Sequence, residues 1–444
     1  MNENTSGKID KRTLITILVL GFCWTMNYAL AEIQYVLYDP MKEVLHISNA
    51  QLGFLMTIFG LGNVFGAPIG GWLSDKFNYK KIYVSSLILT GIISIIFAMN
   101  MTYSFAVIVW AFLAVSALLM NYPAHIKILR MLVNEENQGK IFGFNEGAVG
   151  IASILANWFF IAVFSRFAAA SFGLKTVIII MGVFTFAAAV LSFIFVPNPD
   201  KMPTVKHNIS DEEKEKNKVT AKDFFNVIKS PATWMVGIGL FTVYSLYVTM
   251  SYFTPYFSAV FGISAAATGF LAIIRTYVLR VCGAPIGGVI SDKLHSASKV
   301  MLMTYIVGIF VLLGFIFLPS TTPMLVLVLM TLLVAIFVYM SRGVYYAVTS
   351  EVNIPRNLTA TTIGISAILG FCPDLFQYMM FGHWLDTYGV DGYTYMFIFQ
   401  IVVLIIGMIP CAYIVKKSNK KRLAEKAALS ENSAQPNISL KTNE

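Results

Sequence analysis

Several ionisable side chains lie inside long apolar stretches of this sequence, where they could bind an ion or carry a proton. Arg275 and Arg280 share one apolar stretch, Arg342 is near the end of another, and Glu32 and Asp374 lie in two more. Insertion of such a side chain into the hydrocarbon of a bilayer costs at least about 2.5–3.5 kcal/mol of free energy, so its presence there indicates a structural or functional role. A guanidinium holds a carboxylate or phosphate by two parallel hydrogen bonds. A buried carboxyl group can carry a proton.

The two closely spaced arginines need not bind the same ligand. Arg275 and Arg280 are five residues apart, so on a helix they point roughly 140° from one another. One or both could face a water-filled cavity and bind an anion, or each could pair with a buried carboxylate and only hold helices together. Asp374 shares a helical face with Gln377 and Tyr378. It could pair with one of these arginines or carry a proton.

A polar and aromatic stripe surrounds Glu32. Trp24, Tyr28, Glu32 and Tyr35 fall on one side of a helix, a pattern more typical of a cavity wall than of a surface facing lipid. Glu32 is therefore a candidate for proton coupling. The alternative is an acid that reaches the outer membrane interface.

Further residues could complete such a site. Tyr244 and Tyr247 share a face of a later stretch, although a tyrosine in a membrane is often an interhelical hydrogen-bond donor. Arg342 could line a cationic vestibule or anchor the interface. His383 and Asp386, near the outer end of their stretch, are expected to be surface groups.

The apolar stretches that carry these residues predict membrane-spanning helices. Of 444 residues, 57% are hydrophobic and 12% are charged, about half the charged fraction of a soluble domain. A helix of about 20 residues crosses the hydrocarbon, and it satisfies its backbone groups internally. The predicted fold class is an all-α membrane protein with 12 transmembrane helices. The predicted spans are 13–36, 50–73, 82–100, 104–128, 139–164, 174–197, 231–257, 265–290, 299–318, 323–346, 358–384 and 393–415.

One short motif occurs twice. Gly66–Gly71 and Gly283–Gly288 have the same sequence, lie 217 residues apart (283 minus 66), and are each followed by Ser, Asp and Lys. This repeat predicts two pseudo-symmetric six-helix bundles with a site between them. The predicted organisation is a terminus (1–12), a first bundle (13–197), a linker (198–230), a second bundle (231–416) and a polar tail (417–444), which is expected to be disordered.

The distribution of Lys and Arg predicts the orientation. The alternate segments that we assign to the outside hold only Lys42, Arg166 and Lys175, and the remaining loops are much richer in lysine. This asymmetry places both termini in the cytoplasm. The spacing of the four cysteines indicates neither a disulfide framework nor a metal site. We expect no metal, no cofactor and no nucleic acid partner.

The segment Gly71–Lys81 closely resembles the signature loop between spans two and three of the major facilitator superfamily. Asn78 stands where that pattern has glycine, and asparagine tolerates the left-handed conformation that the turn would need. The resemblance implies a charged clasp that controls the conformational state, with Arg130 and Glu146 as possible partners of Asp75. The alternative is a topology anchor. The implied gating residues of the two copies are Gly71, Asp75, Lys76, Lys80, Gly288, Asp292 and Lys293.

A second segment, Arg130 followed by Gln138–Glu146, resembles the loop between spans four and five in anion-transporting branches of the same superfamily. The two resemblances imply a monomeric secondary transporter of the bacterial inner membrane, not an enzyme, that works by alternating access. The expected substrate is a small organic anion: a sugar acid, a carboxylate or a phosphorylated compound, moved with protons or by exchange. A neutral sugar or drug carrier and a transporter-like sensor are the alternatives.

Overall fold

The computed structural model describes residues 11–132, 138–198, 221–319, 321–352, 354 and 358–434. In this part of the chain the regular secondary structure is helical throughout. Ten helices are long and apolar enough to cross a membrane, and the pair Tyr38–Leu45 with Asn49–Gly66, bent by 107° at its break, would be an eleventh. With Lys11–Ala29, a helix of 19 residues, they form the predicted all-α membrane fold of twelve helices.

We number these helices α1 to α12 in chain order. Their bounds are α1 Lys11–Ala29, α2 Asn49–Lys76, α3 Tyr79–Met99, α4 Tyr103–Met131, α5 Gln138–Phe164, α6 Ala170–Phe195, α7 Pro231–Phe261, α8 Ala265–Leu294, α9 Ala297–Phe317, α10 Met324–Glu351, α11 Thr359–Tyr388 and α12 Asp391–Ala434. Short turns interrupt α7, α10 and α11, and π-helical segments lie within α4 (Ala114–Asn121) and α8 (Ile274–Val278).

The same helix pairs pack in both halves. In the first half α1 packs on α5, α2 on α4, and α3 on α6; in the second half α7 packs on α11, α8 on α10, and α9 on α12. Each pair in the second half is the first-half pair shifted by six helices. The structure therefore shows two pseudo-symmetric six-helix bundles. The contacts between bundles follow the same rule, since α2 packs on α11 and α5 packs on α8.

The repeated glycines bring helices together within each bundle. A Cβ added to Gly66 would lie 3.2 Å from the backbone of Leu118 on α4, and one added to Gly283 would lie 2.6 Å from the Cβ of Tyr339 on α10. Small residues allow this close approach in lipid. The duplicated motif thus forms the α2–α4 and α8–α10 contacts.

Two segments differ from the prediction. The first span, predicted to reach residue 36, ends as a regular helix at Ala29, and a separate helix spans Tyr38–Leu45. The 3₁₀ turn Ile33–Tyr35 lies between these two helices. The tail was expected to be disordered from residue 417, whereas α12 continues to Ala434 because 420–429 are mostly strong helix formers. The linker contains the helix Ala221–Lys229, and residues 199–220 lie outside the described part.

Candidate functional site

An ion pair joins the two bundles where α5 meets α8. A nitrogen of Arg280 (Nη2) lies 2.8 Å from a carboxylate oxygen (Oε2) of Glu146, and it donates a hydrogen bond to that oxygen. The side chains are 29% and 57% exposed, respectively. Glu146, which the sequence suggested as a partner of the signature loop, binds an arginine predicted to bind substrate. Solvent therefore reaches a charged contact between the bundles.

Arg342 of α10 lies against two tyrosines of α7. The centre of its guanidinium is 4.2 Å from the ring centroid of Tyr247 and 5.7 Å from that of Tyr244. Cation–π contacts of this kind orient a guanidinium without neutralising it. Within the described residues Arg342 has no carboxylate at ion-pair distance, so its charge is held on aromatic faces.

Glu32 lies at the break that follows α1, not within a continuous helix. Its backbone carbonyl accepts a hydrogen bond from the backbone N–H of Tyr35, in the single 3₁₀ turn that follows. The half-buried carboxyl group interacts electrostatically with Arg280 and Arg342, and also with Asp374. The structure thus brings the predicted acid and two of the three predicted arginines into one charged set at the interface between the bundles.

Aromatic rings border this set on the first bundle. The ring of Tyr28 stacks on that of Trp24 at 4.7 Å, with 15° between their planes. Its hydroxyl donates to the carbonyl of Ala117 in α4 at 3.4 Å. Tyr28 is therefore packed within the first bundle.

Asp374 connects the bundles by hydrogen bonds. One of its oxygens (Oδ2) accepts bonds from the amide nitrogen of Asn63 on α2 and from the hydroxyl of Tyr244 on α7, both at 2.8 Å. The residue is 4% exposed. In the described structure Asp374 is thus bound by Asn63 and Tyr244, and not by an arginine of α8 as the sequence suggested. Gln377 belongs to a different contact, because its amide donates to the carbonyl of Ser245 at 2.9 Å.

Arg275 is separate from the charged set. It is 1% exposed, and one nitrogen (Nη2) donates to the hydroxyl of Thr254 at 2.8 Å. Its guanidinium lies 5.8 Å from the ring centroid of Phe253, and its Nε has no hydrogen-bond partner in the part of the chain that the structure describes. The π-helical segment of α8 thus directs Arg275 toward α7, inside its own bundle.

The interface between the bundles is closed at the end where α2 begins. The carboxylate of Asp386 accepts hydrogen bonds from the backbone N–H groups of Asn49 and Ala50, each at 2.8 Å. Lower on the same side, the hydroxyls of Tyr35 and Tyr378 lie 2.8 Å apart. Asp386 is exposed, as expected of a surface group, but it also fastens one bundle to the other.

The signature loop shows packing contacts at its basic residues. The ammonium of Lys76 lies 4.8 Å from the ring centroid of Trp72, and that of Lys80 lies 5.2 Å from that of Phe193 on α6. The side chain of Asp75 lies outside the described residues, and Arg130 is in the last turn of α4. The clasp itself therefore stays a prediction.

The second copy of the loop is exposed at its charged residues, Asp292 and Lys293. A Cβ added to Gly288, or to its counterpart Gly71, would meet no described atom within 4 Å. Neither glycine therefore makes a close packing contact with the described residues.

The turn chemistry of the two copies differs. Asn78 has a φ of −63° and caps α3 by accepting a hydrogen bond from the backbone N–H of Lys81. The expected left-handed conformation at Asn78 is therefore wrong. It occurs instead at His295, the equivalent residue of the second copy, with a φ of 50°.

Sequence reasoning missed Asn63 and the outer contact of Asp386. Asn63 is an amide between Gly62 and Gly66 in an otherwise apolar helix, and that isolated polarity is the signal that could have identified it. No comparable signal marked the backbone groups of Asn49 and Ala50.

Two pseudo-symmetric bundles of membrane helices with a charged, solvent-accessible site between them define a membrane transporter. A family model, the Major Facilitator Superfamily, matches residues 13–373 of this chain. The chain belongs to the Major Facilitator Superfamily and is a multi-pass membrane transporter.

Relatives and solved structures agree with this assignment. The chain is 29% identical to the inner membrane protein YqcE of Escherichia coli, over 90% of this chain and 93% of that protein. It is 23% identical to the hexuronate transporter of Bacillus subtilis, over 82% and 89% of the two chains. The fold is similar to that of a bacterial homologue of the human lysosomal transporter Spinster, crystallised inward-facing and unoccupied. For that pair the TM-score is 0.69 at 17% identity, over 92% of this chain and 98% of the other.

Proposed function

We propose that this protein is a secondary active transporter of a small organic anion, with a sugar acid as the favoured substrate class. The observation that carries the proposal is the pair of guanidinium groups at the interface between the bundles, Arg280 beside Glu146 and Arg342 on Tyr247. The relationship to a hexuronate transporter supports the same class. The two bundles would rock about this site, exposing it alternately to each side of the membrane.

The arginines and tyrosines have different roles in this proposal. Arg342 has no carboxylate at ion-pair distance within the described residues, so its charge is available to the carboxylate of a substrate. Tyr247 fixes the plane of that guanidinium. The hydroxyl of Tyr247 suits a hydroxyl group of a sugar, whereas that of Tyr244 already donates to Asp374. Arg275, buried within its own bundle, would act on helix packing and not on the substrate.

Glu32 is the favoured proton carrier. It is half-buried, it lies at a break in the helix, and it interacts with both arginines of the site. Binding of an anion beside these arginines changes the electrostatic balance at Glu32, which couples its protonation to the substrate. Asp374 is held by two neutral donors, Asn63 and Tyr244, so we assign it to the contact between bundles.

The orientation and the gate are part of the same proposal. Both termini would face the cytoplasm of a bacterial inner membrane, since the lysine-rich loops lie at that end. The loops that contain Asp75 and Asp292 would then form the cytoplasmic gate, and the Asp386 contact would form the outer gate. We propose a monomer, because one chain supplies both bundles.

One observation favours a second candidate. Arg280 is already paired with Glu146, which suits a carrier of neutral sugars in which this ion pair is structural. The two candidates predict different uptake by Arg342 variants.

The test is uptake of D-glucuronate and of D-glucose into proteoliposomes containing the purified protein. We expect uptake of D-glucuronate and its loss in Arg342→Ala, with partial retention in Arg342→Lys. The matched control is Arg166→Ala, which removes an exposed arginine from the loop after α5. Uptake of D-glucose in preference to D-glucuronate, unchanged in Arg342→Ala, would contradict the anion proposal and support the second candidate.

A further inference from the structure

The carboxylate bound to Arg280 belongs to the protein itself. Among the described residues Arg280 makes an ion pair, whereas Arg342 lies on tyrosine rings and Arg275 binds the hydroxyl of Thr254. An arginine that binds the carboxylate of a substrate must have that position free or must exchange its partner. Glu146 therefore occupies the position on Arg280 that the carboxylate of a substrate would take.

The Arg280–Glu146 pair is built in a way that allows exchange. It is made by one nitrogen and one oxygen, whereas a guanidinium can bind a carboxylate through two parallel hydrogen bonds. Within the described residues this is the one hydrogen bond of the Arg280 guanidinium. The Glu146 side chain is more than half exposed, so a ligand can approach the pair. A ligand that binds bidentately can therefore compete.

Glu146 also has room to move. Among the described residues, a Cβ added to Gly143, one turn earlier on α5, would meet nothing within 4 Å, and the same is true of Gly147. One turn later the helices are in close contact, since a Cβ on Gly150 would overlap the side chain of Val281 on α8. The carboxylate thus lies at the edge of the α5–α8 contact, beside open space.

We propose that Glu146 is an internal competitor for the substrate carboxylate and thereby sets the selectivity of the site for anions. Without substrate, Glu146 binds Arg280 across the interface; a substrate carboxylate, attracted also by the charge of Arg342 that is unpaired within the described residues, replaces it. A neutral sugar cannot make this exchange and is excluded. Since the exchange removes a contact between α5 and α8, binding also loosens one bundle from the other. This inference rests on the proposed function.

The experiment is calorimetric titration of the purified protein in detergent with D-glucuronate and with D-glucose. Glu146→Gln keeps the shape of the side chain and removes its charge. We expect Kd for D-glucuronate to fall about 3- to 10-fold in Glu146→Gln, and weak binding of D-glucose to appear. Glu146→Asp should bind as the wild type does. The matched control is Glu43→Gln, an exposed acid on the helix Tyr38–Leu45, which should change neither titration.

The outcomes separate the two proposals. If the wild type binds D-glucuronate and Glu146→Gln binds it equally or more weakly, the competitor role is wrong and the anion transporter remains. If the wild type binds D-glucose and not D-glucuronate, the proposed function is wrong and the inference fails with it. Thermal unfolding of each variant in the same detergent identifies a fold defect. If Glu146→Gln has such a defect, the test uses Glu146→Asp, which retains the charge. Unchanged selectivity in Glu146→Asp supports the competitor role, and binding of D-glucose by this variant contradicts it.

Discussion

Asp386 of α11 caps the amino end of α2 in the other bundle by accepting the backbone N–H of Asn49 at 2.8 Å. Its second oxygen accepts the N–H of Ala50, and the side-chain amide of Asn49 also donates to Asp386 at 2.8 Å. The first turn of a helix has unsatisfied N–H groups and a partial positive charge. A carboxylate from the opposite bundle satisfies them while the interface is closed.

Asp386→Ala is expected to open this end of the interface. A lost helix cap costs about 0.5–2 kcal/mol, roughly a 2- to 30-fold change in an equilibrium constant. Because the contact exists only in the closed state, the population should shift toward the open state. Distances between spin labels at the exposed residues Glu43 and Val390 measure this shift. Asp391→Ala, an exposed acid in the first turn of α12, is the control, and identical distance distributions in both variants would refute the gate.

Gly53→Ala tests the close packing of α2 on α11. A Cβ on Gly53 would overlap the backbone of Tyr378 and lie 2.9 Å from the nitrogen of Met379. Overpacking of this kind should destabilise the closed state by about 1–3 kcal/mol and leave the open state unchanged.

The same labels should show more of the open state in Gly53→Ala. Gly364→Ala on α11 is the control, because its Cβ would meet none of the described residues within 4 Å. This variant should gain up to about 1 kcal/mol of stability from helix propensity, without a shift between the closed and open states. A closed population that is unchanged in Gly53→Ala would show that α2 and α11 separate little.

Tyr247→Leu is expected to weaken substrate binding through Arg342. The cation–π contact is worth about 0.5–2 kcal/mol, so KM for D-glucuronate should rise roughly 2- to 30-fold in uptake assays. Tyr247→Phe keeps the ring beneath the guanidinium and is the matched control for it. Equal KM values in the Leu and Phe variants would mean that the ring does not orient Arg342.

Glu32→Gln and Asp374→Asn separate the two proton-carrying candidates. In Glu32→Gln we expect no accumulation of D-glucuronate driven by a pH gradient, while exchange of labelled for unlabelled substrate continues, since a permanently neutral side chain cannot release a proton. Asp374→Asn keeps a carbonyl oxygen for Asn63 and Tyr244 and should still accumulate substrate. The reverse pattern of accumulation would move the coupling role to Asp374.

Much of the architecture could be predicted because it depends on local composition. A stretch of about 20 apolar residues partitions into a bilayer whatever its neighbours are, and the duplicated glycines of Gly66–Gly71 and Gly283–Gly288 indicate related helix contacts. One expectation that failed was also local, since the continuation of α12 to Ala434 depends on the helix propensity of the tail. These features needed no knowledge of distant contacts.

The partners of the buried charges could not be predicted in this way. Glu146 and Arg280 are 134 residues apart, and Asn63 and Asp374 are 311 apart. Membrane helices are apolar on the side that faces lipid and on much of the side that faces other helices, so hydrophobic periodicity gives little information about their rotation. The residue types alone allowed Asp374 to pair with an arginine and Arg275 to face the substrate.

The sequence by itself determined that this chain is a duplicated membrane protein of twelve helices with costly charges inside it. Only the tertiary structure decided which charges meet, because a small rotation of one helix exchanges the side chains that it presents to the other bundle. That rotation places Arg280 on Glu146 and Arg342 on Tyr247, and it directs Arg275 into its own bundle.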